Sequence, residues 1–104
     1  MKFETLLKSK YNIEPSKYME MANERASKLG YDLDKLKFAD DGIHKFEYDN
    51  IKFGNTCCKD YIIYYLTEGK EKAEEKRNQY HKRMFAASKD RVITKKMKLT
   101  KINW

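Results

Sequence analysis

The chain has 104 residues, 40% hydrophobic and 38% charged, with a formal net charge of +7. That length bounds it to one domain with one modest core, and 13% aromatic residues argue against a disordered chain. No apolar run reaches the ~18 residues of a membrane span, and MKFETLLKSK is too charged and too short in its apolar run to read as a secretory signal.

Phe3, Leu6, Leu7 and Tyr11 fall at helical spacing, as a short docked helix or a frayed end would place them. Pro15 or Ser16 then opens the clearest helix, expected over about 16–29. Tyr18, Met19, Ala22, Ala26 and Leu29 make its apolar stripe, Arg25 and Lys28 suit its C-terminal end, and Gly30 stops it.

The period then changes to two. Leu36 and Phe38, His44, Phe46 and Tyr48, and Ile51 and Phe53 alternate with polar residues. Asp40-Asp41-Gly42 and Asp49-Asn50 are turn signals between them. This predicts a three-stranded antiparallel meander over about 35–53 with one apolar face, covered by the stripe of the 16–29 helix.

Gly54 ends the third strand, and Asn55 or Thr56 offers an N-cap. A helix over about 57–67 is favoured, although YIIYYL is also the composition of a fourth strand. Residues 70–87 read as a further helix, with Ala73, Tyr80, Met84 and Ala87 as a narrow stripe. Residues 88–104 read as an extended basic arm ending in Trp104, a ring expected to dock on this chain or on a partner. The expected class is therefore α+β: a single domain over 1–87 and a C-terminal arm over 88–104.

Charge is divided along the chain. Residues 76–104 carry ten Lys or Arg against Asp90 alone, for +9, and residues 1–75 carry −2. A basic segment of this kind attracts nucleic acid, acidic protein or anionic surfaces. Lys76, Arg77, Lys82 and Arg83 have Tyr80 and His81 interleaved among them. Cations neutralise phosphates and rings stack on bases. Lys89, Arg91, Lys95, Lys96, Lys98, Lys101 and Trp104 extend the candidate contact surface along the arm.

Catalytic chemistry has no comparable support. Cys57 and Cys58 are adjacent, and with His44 and His81 they lack the paired spacing of a structural zinc site. They read as two reduced, core-seeking thiols in a reducing compartment of the cell, cytoplasm or nucleus. Asp40 and Asp41 read as turn formers, and no nucleotide, metalloprotease or nucleophile motif occurs. The expectation is a non-enzymatic protein with no cofactor, no metal and no small-molecule substrate. Its expected partners are nucleic acid or the other proteins of a large assembly.

Phe53-Gly54, Asp60-Tyr61, the run Lys76-Arg77-x-x-Tyr80-x-x-Arg83 and the terminal Trp104 together resemble a family. It comprises small basic proteins of unknown function encoded by large nucleocytoplasmic-type DNA viruses. The likeness spans Leu36 to Arg83, with Lys52 where a His often precedes the Phe-Gly step. The resemblance implies a viral, non-enzymatic protein, and the leading expectation is a virion or assembly component such as a minor capsid or core protein. The alternative is a nucleic-acid-binding protein using the 76–83 helix and the arm.

Overall fold

A computed structural model describes residues 1–87 and 98–104, with side chains over 1–83 and 98–104. The expected Met84 and Ala87 contacts, and Lys89, Arg91, Lys95 and Lys96, lie outside the described side chains. Helices α1 (Phe3–Tyr11) and α2 (Pro15–Lys28) lead into strands β1 (Leu36–Phe38), β2 (His44–Tyr48) and β3 (Ile51–Asn55). Helices α3 (Tyr61–Glu68) and α4 (Lys70–Ala87) follow, and a 3-10 turn spans Thr100–Ile102. The fold is α+β, with an antiparallel sheet in the order β1-β2-β3.

The alternation sets the register. Phe38 pairs with Phe46 and Phe46 with Phe53, so three rings stack across the sheet at centroid distances of 5.9 and 5.4 Å. Such cross-strand aromatic pairs add to sheet stability beyond simple burial. Asp49 and Asn50 both take positive φ, 48° and 67°, the conformation of a two-residue type I′ hairpin. Asp41 Oδ1 accepts from the backbone N–H of Ile43 and of His44, each at 2.9 Å, which shapes the β1–β2 connection.

The helices cover this aromatic face as the stripe predicts. Tyr18, Ala22 and Ala26 of α2 are fully buried, and Tyr18 stacks on Phe46 at 5.5 Å. Leu29 departs from the stripe: it sits at the C-cap and is exposed. The N-terminal segment is a docked helix, with Phe3 and Leu7 fully buried and Phe3 edge-on to Tyr18 at 5.1 Å.

Three local expectations change. The segment after β3 is helical, but it begins at Tyr61 rather than near residue 57. Its N-cap is Asp60, whose Oδ1 accepts from the Ile63 N–H at 2.8 Å. Asn55 instead caps the preceding turn, its side chain accepting from Cys57 N–H at 2.9 Å. That turn lies outside the core, so Cys57 and Cys58 are both exposed rather than core-seeking. Their sulfurs face each other as a vicinal pair.

The chain end also differs from an extended arm over its last residues. Leu99 and Ile102 are fully buried members of the core, and Asn103 is 1% exposed. Arg25 of α2 holds this turn: its Nε donates to the Ile102 carbonyl at 2.8 Å and an Nη to the Lys101 carbonyl at 3.2 Å. The same guanidinium lies 4.4 Å from the centre of the Tyr61 ring. Carbonyls left open at a helical end are thereby satisfied by a cation, which their dipole favours.

Candidate nucleic-acid interface

The site begins with a buried carboxylate. Asp60 is fully buried, and besides capping α3 it receives three side-chain donors on Oδ2. Lys45 Nζ donates at 3.0 Å, Asn103 Nδ2 at 3.2 Å, and the Tyr18 hydroxyl closely. Burial, then the Asp60 charge, pushes the Tyr18 hydroxyl well above its ordinary range, so it stays protonated as a donor. Lys45 also donates to the Cys58 carbonyl at 2.7 Å. One cluster thus ties α2, β2, α3 and the chain end together. A buried ion pair of this kind is costly to break, because the remaining charge is left without its partner.

Gly54 makes room for the cluster. It has φ of +76°, and a Cβ there would stand 3.2 Å from the Lys45 Cβ and 3.4 Å from Asn103 Nδ2. The Lys45 stem can therefore run across the strand to Asp60.

Above the cluster opens a cleft of about 790 Å³ between α4, the 57–64 segment and the chain end. Lys45, Lys59, Lys76, Lys82 and Arg83 line it, and no Asp or Glu does so among the described residues. Tyr64, Tyr80 and Trp104 give it aromatic walls. Trp104 docks on this chain, stacking on Tyr80 at 4.3 Å with the planes 5° apart. Lys59 and Lys76 stand 5.4 and 5.9 Å from the centre of the Tyr64 ring. Lys59 is partly offset by Glu68 at 3.3 Å, and Lys45 is committed to Asp60. Lys76, Lys82 and Arg83 remain as the principal cations for a bound anion.

A second cleft of about 600 Å³ shares Trp104 and follows the neighbouring face of α4. Arg25, Lys28, Lys70, Arg77, His81 and Lys101 line it together with Glu74. Burial first, then Arg77 and Lys101, lowers the His81 pKa against hydrogen bonding to the Trp104 backbone. The shift favours the neutral imidazole, which offers a ring rather than a charge.

The residues singled out in the sequence therefore divide. Lys76, Tyr80, Lys82, Arg83 and Trp104 meet in the first cleft, and Arg77, His81, Lys101 and Trp104 in the second. Lys98 is exposed and lines neither. Sequence reasoning missed Lys45, Asp60, Asn103, Lys59 and Tyr64 in the first cleft and its floor, and Arg25, Lys28 and Lys70 in the second. Asp60 had a readable signal, an Asp immediately before an apolar run, which is a helix N-cap pattern. Lys45 had none, since alternation assigns it to the solvent face, yet it is 2% exposed.

No group of three or more metal-ligating side chains gathers among the described residues, and no described helix is long and apolar enough to cross a membrane. No protein-family model, curated protein or solved structure matches the chain.

Proposed function

We propose that this is a nucleic-acid-binding protein that acts by binding rather than catalysis. The phosphate backbone would lie on Lys76, Lys82 and Arg83 of α4 and continue toward the basic C-terminal segment. One observation carries the reading: a cleft walled by Tyr64, Tyr80 and Trp104 and lined by five cations, with no Asp or Glu among its described lining residues. Phosphate neutralisation supplies affinity without sequence preference, and rings beside the cations suit bases. The virion or assembly role joins this reading if the assembly holds a genome, and the likeness to large-DNA-virus proteins makes such a virus the proposed source. Docking onto a neighbouring protein through Trp104 alone is less favoured, because Trp104 is stacked on Tyr80 within the chain.

The test is binding of a labelled oligonucleotide at low salt by the native chain and by the triple variant Lys76→Gln, Lys82→Gln, Arg83→Gln. Native binding that the variant loses supports the reading. No native binding to single or double strands sinks it.

A further inference from the structure

Cys57 and Cys58 are the chain's only cysteines. They sit in the turn between β3 and α3, both exposed, with their sulfurs facing each other. The backbone around them is held. The Thr56 N–H donates to the Ile43 carbonyl at 3.1 Å, and the Cys57 N–H to Asn55 Oδ1 at 2.9 Å. The Cys58 carbonyl accepts from Lys45 Nζ at 2.7 Å, and the same ammonium bonds Asp60 Oδ2. The pair is thus presented to solvent on a backbone tied to the sheet and to the buried cluster. Cys58 and Lys59 both line the first cleft, so this turn is part of its wall.

A disulfide between neighbours closes a small ring around their shared peptide, so making or opening it acts directly on the backbone. We propose that Cys57 and Cys58 are a thiol–disulfide exchange site, whose oxidised form holds this wall in its binding shape and whose reduced form loosens it. The reaction partner is a small disulfide of the glutathione class. A thiolate of the pair attacks one of its sulfurs and expels the first glutathione thiolate, leaving a mixed disulfide. The neighbouring thiolate attacks the protein sulfur of that bond and expels the second. Two electrons pass from the pair to the small disulfide, and the two cysteine protons end on the two glutathione thiols. Because the second sulfur is always within reach, the mixed disulfide does not persist. With the ring open, the peptide regains freedom, and ordering it around a ligand costs affinity. That last consequence rests on the phosphate-binding reading above; the exchange does not.

The full chain is equilibrated in glutathione buffers from reducing to oxidising, free thiols are blocked with N-ethylmaleimide, and intact mass counts the adducts. They should fall from two to none, with no lasting glutathione adduct and no covalent dimer. Fluorescence anisotropy with one labelled single-stranded oligonucleotide then compares the two forms at one low salt concentration. The oxidised chain should bind about threefold more tightly, the scale of one ordered side chain. The double variant Cys57→Ser, Cys58→Ser should bind equally in both buffers. Adducts that stay at two, a persistent mixed disulfide or a covalent dimer overturns the exchange. Equal affinity of the two forms, or a difference that the variant keeps, overturns the coupling to the cleft and leaves the phosphate reading standing. Failure of both forms to bind overturns the phosphate reading and the coupling together, while the thiol count still decides the exchange.

Discussion

Replacing Lys45 by Met removes the buried cation and keeps nearly the same stem. The structure sets the scale of the effect. Lys45 is 2% exposed, Asp60 is 0% exposed, and their charged atoms are 3.0 Å apart. After Lys45→Met the carboxylate keeps the Ile63 N–H, the Tyr18 hydroxyl and the Asn103 amide, but has no opposite charge. The Cys58 carbonyl also loses its donor. Breaking a buried pair from one side costs about 3–5 kcal/mol. For a domain near this size each kcal/mol moves Tm by ~4–8 °C, so a fall of at least about 12 °C is expected. Urea unfolding followed by circular dichroism gives the free energy, and a thermal scan gives Tm. A loss below about 1 kcal/mol, the range of solvent-exposed pairs, would show that Lys45 and Asp60 do not form a buried pair in solution. A cycle with Asp60→Asn isolates the pair: the two losses should be strongly non-additive, whereas independent sites would add.

Three further outcomes follow from the same geometry. Gly54→Ala places a Cβ in a left-handed backbone 3.2 Å from the Lys45 Cβ; it should cost about 1–3 kcal/mol in chemical denaturation, and an unchanged midpoint would contradict the packing described. Arg25→Met removes the donors to the Ile102 and Lys101 carbonyls; it should cost about 1.5–3 kcal/mol and speed hydrogen exchange at the Trp104 amide, which donates to the Thr100 carbonyl at 3.0 Å. Hydrogen bonds from the His44 backbone and ring, then from the Ile43 backbone, hold the Asp41 carboxyl well below the usual carboxylate range. A depressed carboxylate contributes stability that is present above its unfolded pKa of about 3.9 and is lost as pH falls through the lower folded value. Asp41→Asn should accordingly flatten the pH dependence of stability in acid below about pH 4, and an unchanged acid profile would show that these hydrogen bonds do not persist in solution.

Much of the fold was legible because local pattern and burial agree. Alternation at Phe46 and Phe53 fixed which face is apolar, and Asp49-Asn50 named a tight turn that the positive φ angles confirm. The Tyr18, Ala22, Ala26 spacing located the covering helix. The helix at YIIYYL is capped by Asp60, whereas Asn55 and Thr56, the cap candidates upstream, lie before the helix begins. What the sequence hid is long-range. Lys45 and Asp60 are fifteen positions apart, and Tyr18 and Asn103 reach the same carboxylate from opposite ends of the chain. Composition marked the tail as basic, but burial of Leu99 and Ile102 depends on a groove that only the assembled helices provide. The cations of α4 were visible as a set; which of the two clefts each one lines was not.

Phosphate binding in the first cleft is read out by the salt dependence of oligonucleotide affinity. Lys59, Lys76, Lys82 and Arg83 line the cleft in addition to Lys45, which Asp60 neutralises. Lys59 is partly offset by Glu68, so three phosphate contacts to a single strand predict a slope of log K against log salt of about −2. Replacing Lys76, Lys82 and Arg83 by Gln should bring it close to zero. A steep native slope that the triple variant flattens is the predicted result. A native slope near zero, or one that the variant leaves unchanged, would contradict the assignment of this cleft.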